Sequence, residues 1–337
     1  MSVILRPLGE NEPGTMNIGK TAVKIFIFGL GIPLAVGMAC SNGSQPFTTA
    51  APETTESVTG LSDRPDFVPL ITGPESPDGL QAILGTGDLA VGVNRLGFVL
   101  TTPKGFVIDP VVTVSTIYYA NGDEGKIKQD NLQARLRLWP SGTRGLYVTQ
   151  VNFDRPGEWG INIRTDRPGG SVLQAELFFQ VADRASAPSV GALAPKSINK
   201  TLHDVDSIAD LTTGSLLDPE LYQITISQAV SSGNPTVVVF ASPAFCSNAV
   251  CGPQTEVLQE LKDKYRERAN FIHVDFYDNP QEIQGDLDRA RLSPLVKEWR
   301  LPSIEWTFVV DREGVITGRF EGFATFVEVE AILLDSL

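Results

Sequence analysis

From about residue 65 to 185, apolar and polar positions alternate in short runs. The runs are DLAVGVNRLGFVLTT (88–102), VVTVSTIYY (111–119), LQARLRLW (132–139), GLYVTQVNF (145–153), EWGINIRT (158–165) and SVLQAELFFQVA (171–182). Between them stand TPKG, NGDEG, PSGTRG, DRPG and DRPGG, each with Gly or Pro for a tight turn. A period of two with no helical period predicts half-buried strands. Strands at this spacing predict an antiparallel β-sandwich over residues 63–185.

Beyond a linker at 186–205, SAPSVGALAPKSINKTLHDV, the pattern changes. PTVVVF is a continuous apolar run, the mark of a strand buried on both faces. PQTEVLQELKDKYRERA follows, with Val257, Leu258, Leu261 and Tyr265 on one helical face. Next come a strand NFIHVDFY, a helical stretch through LSPLVKEW, strands WTFVVD and VITGRF around REG, and a closing helix TFVEVEAILLDSL. The order βαβαββα predicts an α/β domain over 206–337, a mixed sheet with helices on both faces. In the first half, GLYVTQVNFDRPGEWGINI resembles the closing hairpin of extracytoplasmic immunoglobulin-like domains. That resemblance implies an immunoglobulin-like sandwich with Trp159 as a core plug, and Tyr147 is read as core or edge.

The N-terminal segment reads KTAVKIFIFGLGIPLAVGMAC over residues 20–40. Lys20 and Lys24 precede an apolar run from Ile25 to Met38, shorter than the roughly 20 residues of a membrane span. A small residue then precedes Cys40, the layout of a secretory signal, and Met16 is a better start for it than Met1. A polar tether, 40–62, follows. Signal, cysteine and tether together resemble a bacterial lipoprotein, with 1–39 as the signal peptide. The resemblance implies lipid anchoring of Cys40 to an extracytoplasmic membrane surface.

The chain has 337 residues with 42% hydrophobic and 20% charged positions, a globular composition with room for two domains. Its net charge of -13 excludes a nucleic-acid backbone as the main partner, since no basic excess exists to displace counterions. Of three cysteines, Cys246 and Cys251 remain once Cys40 is assigned to the anchor, a single pair in an oxidising compartment. Five residues along an α-helix rise about 7.5 Å, beyond the roughly 4.4–6.8 Å Cα separation of a disulfide. The pair therefore cannot close within one regular helix. Pro253 favours a helix start at its own position, leaving Ser247–Gly252 as a loop that permits closure.

PTVVVFASPAFCSNAVCGPQTEVLQEL, with WTFVVDREGVI about fifty residues later, is similar to the thioredoxin-like superfamily, closest to its extracytoplasmic TlpA-like and AhpC/TSA-type members. The resemblance implies a thioredoxin-like fold, thiol–disulfide exchange with protein thiols and disulfides through Cys246 and Cys251, and no cofactor or metal. Phe245, Pro302, Glu305 and Trp306 are expected to border the site. Family chain order favours Cys246 as the attacking sulfur, whereas nearness to the helix start favours Cys251. Departures are visible: the spacing is C-x4-C, Glu305 stands where a proline usually faces the disulfide, and TVVVF carries no buried acid. Peroxide reduction of the peroxiredoxin type is a second enzymatic reading, for which Ser242 is the loose counterpart of the threonine ahead of the cysteine. A non-enzymatic binding or assembly lipoprotein with a structural disulfide is the third. Copper delivery would need a histidine near the late strands, yet His203 and His273 lie elsewhere. His273 is read as a satisfied strand residue and His203 as solvated.

Overall fold

Alternation becomes strand wherever a neighbouring strand covers the apolar face. The chain forms β1 (Gln81–Leu84), β2 (Gly92–Thr102), β3 (Gly105–Phe106), β4 (Val111–Tyr119), β5 (Lys126–Leu138), β6 (Gly145–Phe153), β7 (Gly157–Asp166) and β8 (Val172–Val181). The expected strand at 132–139 is the second half of the longer β5. The structure, a computed structural model, describes residues 70–120, 125–166, 172–245 and 253–337. Val58–Leu337 fall in one unit.

All eight strands belong to one antiparallel sheet ordered β1-β2-β6-β5-β4-β7-β8, with β3 paired to β2. The sheet curls until its ends meet. At Gly73, ahead of β1, a Cβ would fall 1.9 Å from the Glu176 carbonyl oxygen of β8, so only glycine fits there. Trp159, Tyr147, Phe98 and Phe153 fill the interior. The Trp159 indole N–H donates to the Arg155 carbonyl at 3.1 Å, and the Tyr147 hydroxyl donates to the Asp109 carbonyl at 2.8 Å.

The second sheet is built from β9 (Thr236–Ala241), β10 (Asn270–Asp275), β11 (Trp306–Val310) and β12 (Ile316–Glu321), in the order β10-β9-β11-β12. β10 runs parallel to β9 and β11 antiparallel to both β9 and β12. Every residue of β9 is buried. The long helices α2 (Gln254–Tyr265) and α5 (Phe326–Ser336) share a core with one face of this sheet through Leu258, Leu261, Val329 and Leu333. Three shorter helices complete the set: α1 (Ile226–Val230), α3 (Pro280–Ile283) and α4 (Pro294–Glu298).

The expected fold class, an immunoglobulin-like sandwich followed by an α/β thioredoxin-like domain, is corrected on both counts. The first half is a single, nearly closed, barrel-like sheet rather than two packed sheets. The pairings β2–β6 and β4–β7 join hairpins that are distant in sequence. Alternating strands separated by turns look alike in sandwiches and barrels, so local pattern does not distinguish them. The molecule is mostly β, and no α/β thioredoxin pattern is evident. Between β10 and β11 the backbone turns left-handed at Gln284 and Gly285 just after α3 and at Arg300 just after α4, and α3 has only four residues and α4 five. That face of the sheet is covered by short turns and irregular chain instead of long crossover helices.

Charged side chains fasten the two sheets together. The Asp88 carboxylate accepts from the Ser186 and Ala187 amides, each at 2.8 Å, and from the Arg319 guanidinium at 2.5 Å. The buried Glu321 carboxylate accepts from the Asp88 amide at 2.9 Å and the Ser303 hydroxyl at 2.6 Å. Arg95 of β2 donates to the Phe323 carbonyl at 2.8 Å and pairs with Glu328 of α5 at 3.3 Å. These contacts seat the barrel against the start of α5, next to the chain that carries the candidate site.

Candidate functional site

The cysteine segment runs from the end of β9 to the start of α2, and its two roots are well defined. Cys246 and Cys251 lie outside the described residues, as does Cys40. On the β9 side, Ala241 and Ser242 are buried, and the Phe245 amide donates back to the Ser242 carbonyl at 3.0 Å, closing a turn. The Phe245 ring packs edge-on against Tyr277, centroids 5.8 Å apart. On the other side α2 starts without a side-chain cap: Pro253 at its N-cap makes no side-chain hydrogen bond. The first N–H groups of α2 therefore have no side-chain acceptor at the cap, and the positive end of the helix dipole lies at Pro253.

The β9 root is held by two buried titratable groups from β10. Asp275, 4% exposed, accepts four hydrogen bonds. The Ser242 hydroxyl and the Tyr277 amide reach Oδ1 at 2.9 and 3.0 Å. The Thr213 amide and hydroxyl reach Oδ2 at 2.7 and 2.8 Å. Burial pushes the Asp275 carboxyl up to about 6, against these four bonds, which pull it down. His273 bonds the Ala241 carbonyl through Nε2 at 3.1 Å and the Tyr222 hydroxyl through Nδ1 at 2.7 Å. A carbonyl only accepts, so Nε2 carries the proton and Nδ1 accepts from Tyr222. Burial depresses the imidazole to about 4, outweighing the bond to Ala241. Both ring nitrogens of His273 are thus engaged, and His203 is exposed.

A cavity of about 450 Å³ opens at these roots, lined by Pro243 on the β9 side, Pro253 and Gln254 on the α2 side, and Glu305. Trp139 and Pro140, from the turn between β5 and β6 of the barrel, also line it, as do Thr255 and Glu256 of α2. Glu305 is 1% exposed and left-handed, with φ 83°, immediately ahead of β11; its carbonyl accepts from the Gly322 amide at 2.9 Å. Of the expected border residues, Glu305 lines the cavity and Phe245 lies beside the Ser242 root. Trp306 belongs to the core: its ring is fully buried, stacked 5.8 Å from Phe308 and covered by the Arg319 guanidinium at 4.8 Å. Pro302 is half-buried and does not line the cavity.

Pattern reading missed Asp275, Gln254 and Trp139. Asp275 had a signal: it is the one carboxylate inside the otherwise unbroken strand NFIHVD. Gln254 and Trp139 had none, because their positions matter only once barrel and helix meet. Elsewhere, Asp218, Glu220 and Asp263 converge on the Lys262 ammonium at 2.7, 2.6 and 3.0 Å, so a lysine already neutralises that acidic cluster. No family model, curated protein or solved structure matches the chain. Among the described residues no helix is long and apolar enough to cross a membrane.

Proposed function

We propose that the protein exchanges disulfides with partner proteins through Cys246 and Cys251, held at an extracytoplasmic membrane surface by Cys40. The observation that supports this best is the setting of the pair in the chain: both cysteines fall between a strand end anchored by Asp275 and His273 and the uncapped start of α2. Cys251 stands two residues ahead of Pro253, where the helix dipole favours thiolate over thiol. The Asp275 and His273 bonds fix the other root.

The chemistry balances in two steps. One thiolate attacks a sulfur of the partner disulfide, forming a mixed disulfide and releasing the partner's other sulfur as thiolate. The second cysteine, deprotonated, attacks the mixed disulfide, releasing the partner's remaining thiolate and closing the Cys246–Cys251 bond. Two electrons pass from the pair to the partner, and the reverse sequence oxidises a partner dithiol. A disulfide closing so short a loop restrains the unfolded chain little, which weakens a purely stabilising purpose.

The test is the reduction potential of the pair, read as a thiol-labelling mass shift across a redox buffer series. A value between about −120 and −270 mV is expected for an exchange protein. A value below about −300 mV would mark a structural disulfide and overturn the proposal in favour of a binding or assembly role.

A further inference from the structure

A groove of about 740 Å³ opens between the barrel and the segment 185–195 that follows it. Val91 and Val93 line its barrel side and Val190 and Leu193 the other; all four stand in solvent, Val93 72% and Leu193 73% exposed. Aliphatic side chains gathered this way in one groove mark an interaction surface. Main-chain bonds hold both lips in place. The Val91 amide donates to the Ala182 carbonyl at 3.0 Å, and Val93 pairs with Asn152 of β6. On the opposite lip the Gly191 amide donates to the Ile316 carbonyl at 2.8 Å, and the Ile316 amide to the Ala192 carbonyl at 2.9 Å. The aliphatic groups thus sit on a preformed surface, which an occupant covers without first having to order it.

Charge selects the occupant. The chain carries a net -13, yet this groove is neutral, its lining holding four arginines and four carboxylates. On the floor, Arg95 donates to the Phe323 carbonyl at 2.8 Å and Arg319 to the Asp88 carboxylate at 2.5 Å. The exposed rim is Asp183 and Arg184 on the barrel wall and Glu298 and Arg300 on the other, one anion and one cation each. An anionic bilayer calls for a cationic excess and aromatic anchors, and the described lining has neither. A basic partner is drawn to the acidic remainder of the chain instead. A second copy meets both conditions. About a two-fold axis every wall faces a wall that carries both signs, and the aliphatic lips cover each other. We propose that this groove is a self-association surface, on which two copies of the chain pack Val91, Val93, Val190 and Leu193 together and pair their rim charges. The pairing is independent of the disulfide-exchange reading.

Sedimentation velocity on the full-length protein in density-matched detergent, over roughly 1–100 μM, is expected to show a concentration-dependent dimer. Leu193→Asp brings a carboxylate from each copy into the apolar contact and is expected to raise the dimer Kd at least about tenfold. Arg184→Glu turns the balanced rim acidic. It is expected to raise Kd several-fold at low salt, an effect that about 1 M salt removes. Both side chains stand in solvent in the single copy, so neither change disturbs the fold. Photo-cross-linking from benzoylphenylalanine placed at Val190, with the protein in lipid vesicles, identifies the occupant directly. A cross-linked dimer whose second peptide maps to the same groove is expected. A parent that stays monomeric, a dimer that either variant leaves intact, or cross-links to lipid alone would overturn the proposal.

Discussion

Asp275 and His273 grip the same strand end with pKa displacements of opposite sense, and their effects on stability should nearly cancel. Asp275 moves from 3.8 to about 6. The folded state therefore holds a proton that the unfolded chain has released, and stability falls as pH rises through roughly 4 to 6. At 1.36 kcal/mol per unit this amounts to about 3 kcal/mol. His273 moves from 6.5 down to about 4. Here the unfolded chain is the better proton binder, so stability rises with pH over nearly the same window, also by about 3 kcal/mol. The wild-type contribution of the pair is accordingly almost flat between pH 4 and 6.5. Asp275→Asn removes one arm and exposes the other. Its absolute stability also shifts, because its side-chain NH2 meets one of the donors that Oδ1 and Oδ2 now accept, so the pH dependence is the clean readout. Urea unfolding at pH 4, 5, 6 and 7 should show the wild-type advantage over Asp275→Asn growing by about 2 kcal/mol on acidification from 7 to 4, most of the full effect. A change below about 1 kcal/mol would refute the reasoning, since the carboxyl would then titrate alike in folded and unfolded chains.

Two further expectations test the frame around the site. Arg300 is exposed with φ 51°, a left-handed conformation that costs a side-chain-bearing residue about 1 kcal/mol. Arg300→Gly should therefore raise the urea midpoint by a corresponding amount without changing the m-value, and a lowered midpoint would contradict the assignment. Asp88→Ala leaves the Ser186 and Ala187 amides and the Arg319 guanidinium without their shared acceptor. It should cost about 3–5 kcal/mol in the same assay. A loss under about 1 kcal/mol would mean that the Asp88 carboxylate does not fasten the sheets.

Much of the chain's local structure was written in its pattern. In β8 the burial alternates strictly, one residue in and the next out, as SVLQAELFFQVA implied. The run TVVVFA is buried throughout, and Val257, Leu258, Leu261 and Tyr265 form the covered face of α2 as their spacing required. Those are consequences of where apolar side chains fall along one element, and one element's sequence suffices to state them. What covers each face was not legible. Whether strands close into one sheet or stack as two depends on pairings such as Thr149 with Leu96 and Ile161 with Thr116, between segments that local pattern treats as independent. The candidate site divides the same way. Two cysteines and a helix start at Pro253 could be read from the sequence. That Ser242 would hang from Asp275, and that Trp139 of the barrel would face Gln254 and Glu305, was decided by tertiary packing. A hydrogen bond or cavity wall exists only between groups that the whole fold brings within a few ångströms, and no single segment encodes that distance.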